Sequence, residues 1–427
     1  HPPTHSGRPQ GAGCIFLHII LLAVKSLAAP IIPIIAQHST PPGFRQPLPL
    51  SLYVHVPWCL KKCPYCDFNS HALREALPER EYVAALIADL ESALPLIWGR
   101  RIDSVFFGGG TPSLLSGEAI DTLLAAFRAR LPLTPEVEIT LEANPGTAEA
   151  SRFAAYRAAG VNRLSLGIQS FHPAHLAALG RVHDAREARQ AIELAAQHFD
   201  NFNLDLMYGL PGQQLKEALD DLEQALGHAP THLSCYQLTL EANTAFAAEP
   251  PELPDPDLCA DMQEAIEARL AAAGFVHYET SGFARPGHQC RHNLNYWTFG
   301  DYLGIGAGAH GKLTLPGPEG WQVLRQMRWK QPRQYLAQIA AARPVQDEFP
   351  VAATERPFEF MMNALRLNQG FAPSLYEQRT GLALSEIVPV LRQAARQGLL
   401  DYNAECIVPS KTGQRFLNRL LQLFLKN

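Results

Sequence analysis

From Leu52 onward, short apolar runs alternate with longer segments whose apolar residues recur every three or four positions. Residues 52–56 read as a first strand. Residues 79–94 follow as a helix, with Val83, Leu86, Ile87, Leu90 and Leu94 on one face. Further strands are predicted at 103–107, 137–142, 163–169, 203–208 and 233–238. Asp184-Ala185-Arg186-Glu187 carries the capping-box pattern that starts a helix. Six strand-then-helix units in a row imply parallel strands joined by helical crossovers. A closed eightfold barrel needs two more units, and the chain after Leu240 does not supply them. The pattern predicts an α/β fold, an open six-unit (β/α) partial TIM barrel. In such barrels the chemistry sits at the carboxyl ends of the strands.

Beyond the sixth strand the pattern changes. Residues 249–256 form a proline-rich connection, followed by a helix at 257–273 and a strand-like run at 274–279. The small residues of 302–310 would let backbone pass close to something flat. From about Glu355, two or three helices, a hairpin through Ile407-Val408 and a final helix over 413–425 predict an α+β winged-helix-like domain. A DNA-binding role and a packing or partner-binding role both suit that shape, and the absence of a basic recognition helix favours the second. The organisation expected is an extension at 1–47, a barrel core at 48–245, a connecting region at 246–350 and a terminal domain at 351–427.

The extension begins at His1 and is rich in proline and histidine. Its apolar stretch from Cys14 to Val24 falls short of the roughly 20 residues of a membrane span. It reads either as a targeting segment or as an extension without structure, and the lack of a basic cluster before it favours the latter.

Composition adds little beyond exclusion. The 427 residues carry a formal net charge of −5, so no basic excess points to nucleic acid. Of eight cysteines, Cys59, Cys63 and Cys66 are clustered, while Cys14, Cys235, Cys259, Cys290 and Cys406 are scattered. That usage fits a reducing compartment and a cytoplasmic protein, with membrane association arising through partners.

The clustered cysteines stand in the spacing C-x-x-x-C-x-x-C, on a loop just after the first strand. Three thiolates in eight residues can converge on one 4Fe–4S cluster and leave one of its four irons open for a small chelating molecule. A zinc site is the competing reading, with His55 or His71 as fourth ligand. The aromatic Cys-Pro-Tyr-Cys turn and the preceding strand favour the cluster. Other chemistry-bearing residues also fall at strand ends: Gly108, Gly109 and Gly110 after the second strand, Glu142 on the third, Gln169 on the fourth and Asp205 on the fifth. Glycine amides can approach a polar ligand closely, because no Cβ intervenes.

These residues resemble the radical S-adenosylmethionine (SAM) superfamily. From about Leu50 onward the chain resembles its oxygen-independent coproporphyrinogen III oxidase family, and within it the heme-chaperone branch. The matching stretches are HVPWCLKKCPYCDFNSH, FFGGGTPS, LEANP, LSLGIQSF, LGRVH, DLMYGLPGQ, HNLNYW and YLGIGAGAH. The resemblance implies Cys59, Cys63 and Cys66 as ligands of a 4Fe–4S cluster whose open iron takes the amino and carboxylate groups of SAM. It implies Tyr53, Gly109, Gly110, Thr111, Glu142, Gln169, Arg181 and Asp205 as SAM-contacting residues, with Tyr65 packed against SAM. Glu142 and Asp205 would meet its ammonium and ribose hydroxyls, and Arg181 its carboxylate. The 302–310 stretch would pass the adenine.

Two departures separate the chain from the true oxidases. Those carry a further cysteine where this chain has Phe68, and residues 1–47 do not resemble their amino-terminal arm. The branch motif spans His292 to Trp297. An imidazole or a tyrosinate can ligate heme iron, which makes His292 and Tyr296 candidate heme residues. The residues taken alone favour a histidine satisfied by backbone partners, and it is the resemblance that points to heme. The resemblance thus implies a heme chaperone that passes heme to acceptor hemoproteins, such as respiratory enzymes at the membrane, with SAM and cluster structural or regulatory and a homodimer as the working form. The alternative is a radical SAM oxidoreductase, in which a 5′-deoxyadenosyl radical attacks a tetrapyrrole. A winged-helix regulator is the weakest reading.

Overall fold

The computed structural model describes residues 43–146, 150–317 and 320–425. Of the extension expected at 1–47, residues 1–42 lie outside the described residues. The six predicted strands are present as β1 (Leu50–Val56), β2 (Ile102–Gly109), β3 (Leu133–Ala143), β4 (Arg163–Gln169), β5 (Phe202–Tyr208) and β6 (His232–Gln237). Each pairs in parallel with the next. Their crossovers carry α1 (Glu79–Ile97), α2 (Gly117–Arg130), α3 (Phe153–Ala159), α4 (Pro173–Ala178), α5 (Ala185–His198) and α6 (Leu215–Gly227). β1 is buried at six of its seven positions, as expected for a strand with a helical layer on one face and a filled barrel interior on the other. The Asp184 capping box forms at the start of α5, with both reciprocal bonds in place.

Six parallel strands are not the whole sheet. α7 (Pro256–Ala272) leads to two short strands, β7 (Val276–His277) and β8 (Gly282–Ala284), and then to α8 (Arg291–Trp297). Next comes β9 (Asp301–Ile305), which lies parallel to β1 on its free side, with Leu50 opposite Asp301 and Val54 opposite Ile305. Antiparallel strands β10 (His310–Gly317), β11 (Gly320–Arg328) and β12 (Val345–Val351) continue beyond it. The resulting twelve-stranded order is β12-β11-β10-β9-β1-β2-β3-β4-β5-β6-β8-β7, open at both ends.

The 302–310 stretch therefore corrects an expectation. Its small residues admit protein, not a flat ligand. A Cβ on Gly306 would run into the His55 carbonyl and the Tyr82 hydroxyl, and its φ of 101° is one that glycine tolerates best. Buried charges lock this added edge. Asp89 on α1 accepts bonds from the Gly306 amide at 3.0 Å, the Tyr335 hydroxyl at 2.8 Å and Arg328 Nε at 3.0 Å. Asp301 meets Lys312 at 2.9 Å and Arg100 at 2.8 Å, so both buried carboxylates are paired, as burial requires.

A second apolar cluster gathers Phe299 with α9 (Arg356–Ala364), α10 (Pro373–Thr380), α11 (Val388–Arg396) and the hairpin of β13 (Leu400–Tyr402) and β14 (Ile407–Pro409). The single final helix expected at 413–425 is two, Lys411–Arg415 and Leu417–Gln422, interrupted at the exposed Phe416. Phe44 also departs from expectation. It lies within the stretch read as an extension, yet it is buried against Trp321, Val323 and Val351, with the Arg356 guanidinium over its ring. No helix among the described residues is long and apolar enough to cross a membrane.

Candidate functional site

The parallel strands end on one rim, and the cysteine loop sits there. After β1 the chain makes a two-residue parallel ladder, Trp58-Cys59 with His71-Ala72, which closes the loop at its base. The Cys66 amide donates to the Cys63 carbonyl at 3.2 Å, a tight turn around Pro64 and Tyr65. Asn69 ties the loop to the added edge, donating to the carbonyls of Ala307 at 3.0 Å and Lys330 at 2.9 Å.

These contacts bear on the zinc reading. His55 Nε2 donates to the Asn69 carbonyl at 2.9 Å, which leaves Nδ1 to accept from the Tyr53 hydroxyl at 3.0 Å. Burial lowers its pKa to about 4, so the ring stays neutral and fully engaged. His71 Nε2 lies 3.3 Å from Asn69 Oδ1. Both histidines that could complete a zinc site thus serve the loop's own architecture.

Cys59, Cys63 and Cys66 line one cavity of about 430 Å³, together with Tyr65, Gly109, Gly110, Thr111, Glu142, Gln169, Arg181 and Asp205. Tyr53 is not in that wall. It lines a smaller neighbouring space with His55, Phe68, Glu142 and Tyr296.

The glycines also serve the packing of the loop. The Gly110 amide donates to the Val56 carbonyl at 2.7 Å, and a Cβ on Gly110 would come within 2.6 Å of the Trp58 carbonyl oxygen. The Gly109 amide bonds the Glu142 carboxylate. The missing Cβ atoms let the cysteine loop lie on the strand ends. The two amides are engaged by protein, while both glycines still line the cavity.

The side chains of the cavity are pre-set. Burial, reinforced by Asp205, pushes the Glu142 carboxyl up to about 8, while the Gly109 amide opposes the shift. Asp205 is raised by burial too, against bonds from Asn203 at 2.7 Å and Ser165 at 3.3 Å. Two acids held above their ordinary range in one cavity favour a cationic or hydroxyl-bearing ligand, which would repay their ionisation. Gln169 has a positive φ of 69° at a register shift in β4, and its Oε1 accepts from the Tyr236 hydroxyl at 3.0 Å. Such a bulge re-aims a side chain at the end of a strand.

Arg181 follows the Gly180 turn. Its Nη2 donates to Asn144 Oδ1 and to the Gly167 carbonyl, both at 2.8 Å, and its Nη1 lies 3.7 Å from Cys63 Sγ. Its buried Nε has no hydrogen-bond partner among the described residues. Three cysteine sulfurs, a free guanidinium donor and two raised carboxyls in one cavity fit a 4Fe–4S cluster carrying an amino-acid chelate.

His292 lies deeper, on α8 inside the barrel. It is 1% exposed, with Nδ1 2.9 Å from the Ser104 hydroxyl and Nε2 3.1 Å from the Tyr296 hydroxyl. Its ring stacks on Phe106, and burial lowers its pKa to about 3. Neither nitrogen is open to a metal in this conformation. Tyr296 packs edge-on against Tyr302. Asn293 and Trp297 of the same motif do line the cavity, as do Tyr236, Glu279 and Arg366. The Arg366 guanidinium lies 4.3 Å from the Trp297 ring centre. The sequence reading missed Tyr236, Glu279 and Arg366, because nothing local marks an arginine more than a hundred residues past the sixth strand as a cavity residue.

Comparison with known proteins agrees with this geometry. The radical SAM superfamily model matches residues 53–225, and the HemN C-terminal domain model matches residues 351–416. The heme chaperone HemW of Escherichia coli is 51% identical over 378 residues, covering 88% of this chain and 98% of that protein. HemW of Mycobacterium tuberculosis is 38% identical over 389 residues, covering 88% and 95%. Radical S-adenosyl methionine domain-containing protein 1, mitochondrial, of Bos taurus is 38% identical and covers 87% and 86%. Among solved structures, the radical SAM enzyme coproporphyrinogen III oxidase (HemN) of Escherichia coli superposes with a TM-score of 0.74 at 25% identity, over 88% of this chain and 90% of that one. A cysteine-loop barrel that aligns with nearly the full length of these relatives belongs to the HemW family of the radical SAM superfamily.

Proposed function

We propose that this protein is a heme chaperone, binding heme and passing it to acceptor hemoproteins. The observation that carries the reading is the 51% identity to a heme chaperone over 98% of that relative's length. The second residue after the cysteine triad supports it. Phe68, where the oxidases have a cysteine, is 61% exposed and stands at the mouth of the cavity, where an apolar face suits a porphyrin. Cys59, Cys63 and Cys66 would hold a 4Fe–4S cluster. Arg181, Glu142, Asp205, Gln169, Thr111 and Tyr65 would orient SAM upon it, with Tyr53 setting the neighbouring His55 and the floor beneath Glu142. When bound and reduced by an external one-electron donor, the cluster would supply a single electron to SAM. The acceptors we propose are respiratory hemoproteins at the membrane, reached from the cytoplasm, with a homodimer as the transferring form. The motif of α8 contributes Asn293 and Trp297 to the cavity wall, while ligation through His292 would require release of the ring contact at the ligating nitrogen.

The second reading is a radical SAM oxidoreductase acting on a tetrapyrrole, favoured by the 0.74 TM-score to HemN. Anaerobic reconstitution of the cluster, followed by titration with heme and by incubation with SAM, reductant and coproporphyrinogen III, separates the two. Saturable heme binding without release of carbon dioxide is expected. Sustained decarboxylation would overturn the chaperone reading.

A further inference from the structure

We propose that His172, His175 and Glu217 form a site for a zinc-like divalent ion, on the outer layer of the barrel beside the end of β4. His172 caps α4, His175 lies on α4, and Glu217 is the third residue of α6. One ligand atom from each of the three lies within 4.8 Å of the others. The two imidazole rings have their centres 5.2 Å apart.

A second observation points to a ligand. His175 is 5% exposed, and its Nε2 has no hydrogen-bond partner among the described residues. A buried ring nitrogen in that state costs free energy that a metal would remove. The same atom lies 3.4 Å from Glu217 Oε2. Ligand atoms on a tetrahedral zinc sit about 3.3 Å apart, given metal–ligand distances of about 2.0 Å. His175 and Glu217 are therefore already at coordinating separation, and a side-chain rotation of His172 closes the set.

The surroundings hold these ligands in place. The His172 amide donates to Ser170 Oγ at 3.0 Å, and Ser170 Oγ donates to Asp221 Oδ2 at 2.6 Å. The Phe171 amide donates to Asp221 Oδ1 at 2.7 Å. Glu217 Oε2 accepts the Gln214 amide at 2.8 Å, which fixes the carboxylate and leaves a second lone pair on that oxygen for a metal. The partly exposed His172 side leaves a fourth position to water. Two imidazoles and one carboxylate select a borderline ion such as Zn²⁺ over Ca²⁺ or Mg²⁺, which prefer all-oxygen sets. The bound ion would join the turn after Gln169 to α6 and so brace the strand end that carries a cavity residue.

The test uses cluster-loaded protein, so that the cysteine triad is filled and its iron content can be followed. Zinc affinity is measured by competition with a chromophoric chelator. One zinc per chain with micromolar or tighter affinity is expected, unaffected by excess Ca²⁺. His172→Ala and His175→Ala should each weaken it at least tenfold with iron content unchanged. Glu217→Gln keeps a cap for α6 yet removes the charge, and it should weaken zinc as well. Saturating zinc should raise the melting temperature of the wild type and not of His175→Ala. Millimolar-only binding by the wild type, or equal affinity in His175→Ala, would overturn the site.

Discussion

Arg181 places its Nη1 3.7 Å from the sulfur of Cys63, while its Nη2 is held by Asn144 and Gly167. One guanidinium thus touches the cysteine loop, the end of β3 and the end of β4 at once, and keeps its Nε unspent. Lysine retains charge but not this planar fork. Arg181→Lys should assemble its cluster with near-normal iron content yet bind SAM at least tenfold more weakly, about 1.4 kcal/mol or more. Anaerobic equilibrium binding with parallel iron analysis checks this.

The scattered cysteines offer an internal control. Burial pushes the Cys235 and Cys290 thiols up to about 12, which keeps them protonated and poor metal ligands. Alanine at Cys59, Cys63 or Cys66 should abolish the cluster, whereas alanine at Cys235, Cys259 or Cys290 should spare it. Wild-type iron and sulfide in Cys63→Ala would refute the assignment.

Glu142 makes the cofactor-free protein pH-sensitive. Its folded pKa stands near 8 against an ordinary 4.5, so between those values the folded state holds a proton that the unfolded chain has lost. Stability from this group therefore falls as pH rises through that window and levels off above it, by an amount on the order of 5 kcal/mol for the full shift. Glu142→Gln should flatten the decline in melting temperature between about pH 5 and about pH 8. A ligand that brings an ammonium to this carboxylate should bind more tightly at the upper end of the range. An unchanged pH profile in Glu142→Gln would count against the raised carboxyl.

His292 and Tyr296 can be separated by chemistry. His292→Ala removes a buried ring and both of its polar contacts and should cost about 2–4 kcal/mol. Tyr296→Phe keeps the ring, loses one hydroxyl and should cost about 1 kcal/mol. With His292 buried as it is, heme titration should give the same Soret band in wild type and both variants. A shifted band in His292→Ala alone would show that heme draws this histidine out of the barrel.

Phe44 tests the amino-terminal boundary. It is buried against Trp321 and Val351, so Phe44→Ala should lower stability by about 3 kcal/mol. Cluster content should be unaffected, since β1 and the cysteine loop lie elsewhere. A melting temperature within a degree of wild type would mean that the 43–47 stretch contributes nothing to the fold.

How far local pattern carries is clear from individual elements. β4 runs from Arg163 to Gln169 as the pattern predicts, because Leu164, Leu166 and Ile168 recur at every second position, the period of a strand. The Asp184 cap was readable because its two partners are three residues apart. β9 was not. Gly304, Gly306 and Gly308 gave its surroundings the look of a loop, and Asp301 put a charge at its start. That charge is tolerated only because Lys312 and Arg100 arrive from other parts of the chain. For the same reason Arg366, Glu279 and Tyr236 went unread as cavity residues, and Phe44 as a core residue.

The cysteine spacing, the glycine run and the strand-end acids were each contained within a short stretch, so the class of chemistry and the family could be read from the residues in order. Tertiary packing decided what each residue does with its atoms. It gave the amides of Gly109 and Gly110 to Glu142 and Val56, enclosed His292 between Ser104 and Tyr296, and set His175 beside Glu217. A side chain's type is written locally. Its solvent exposure and its hydrogen-bond partners depend on which distant segments the fold lays against it, and those two quantities fix whether a histidine is a ligand or a strut.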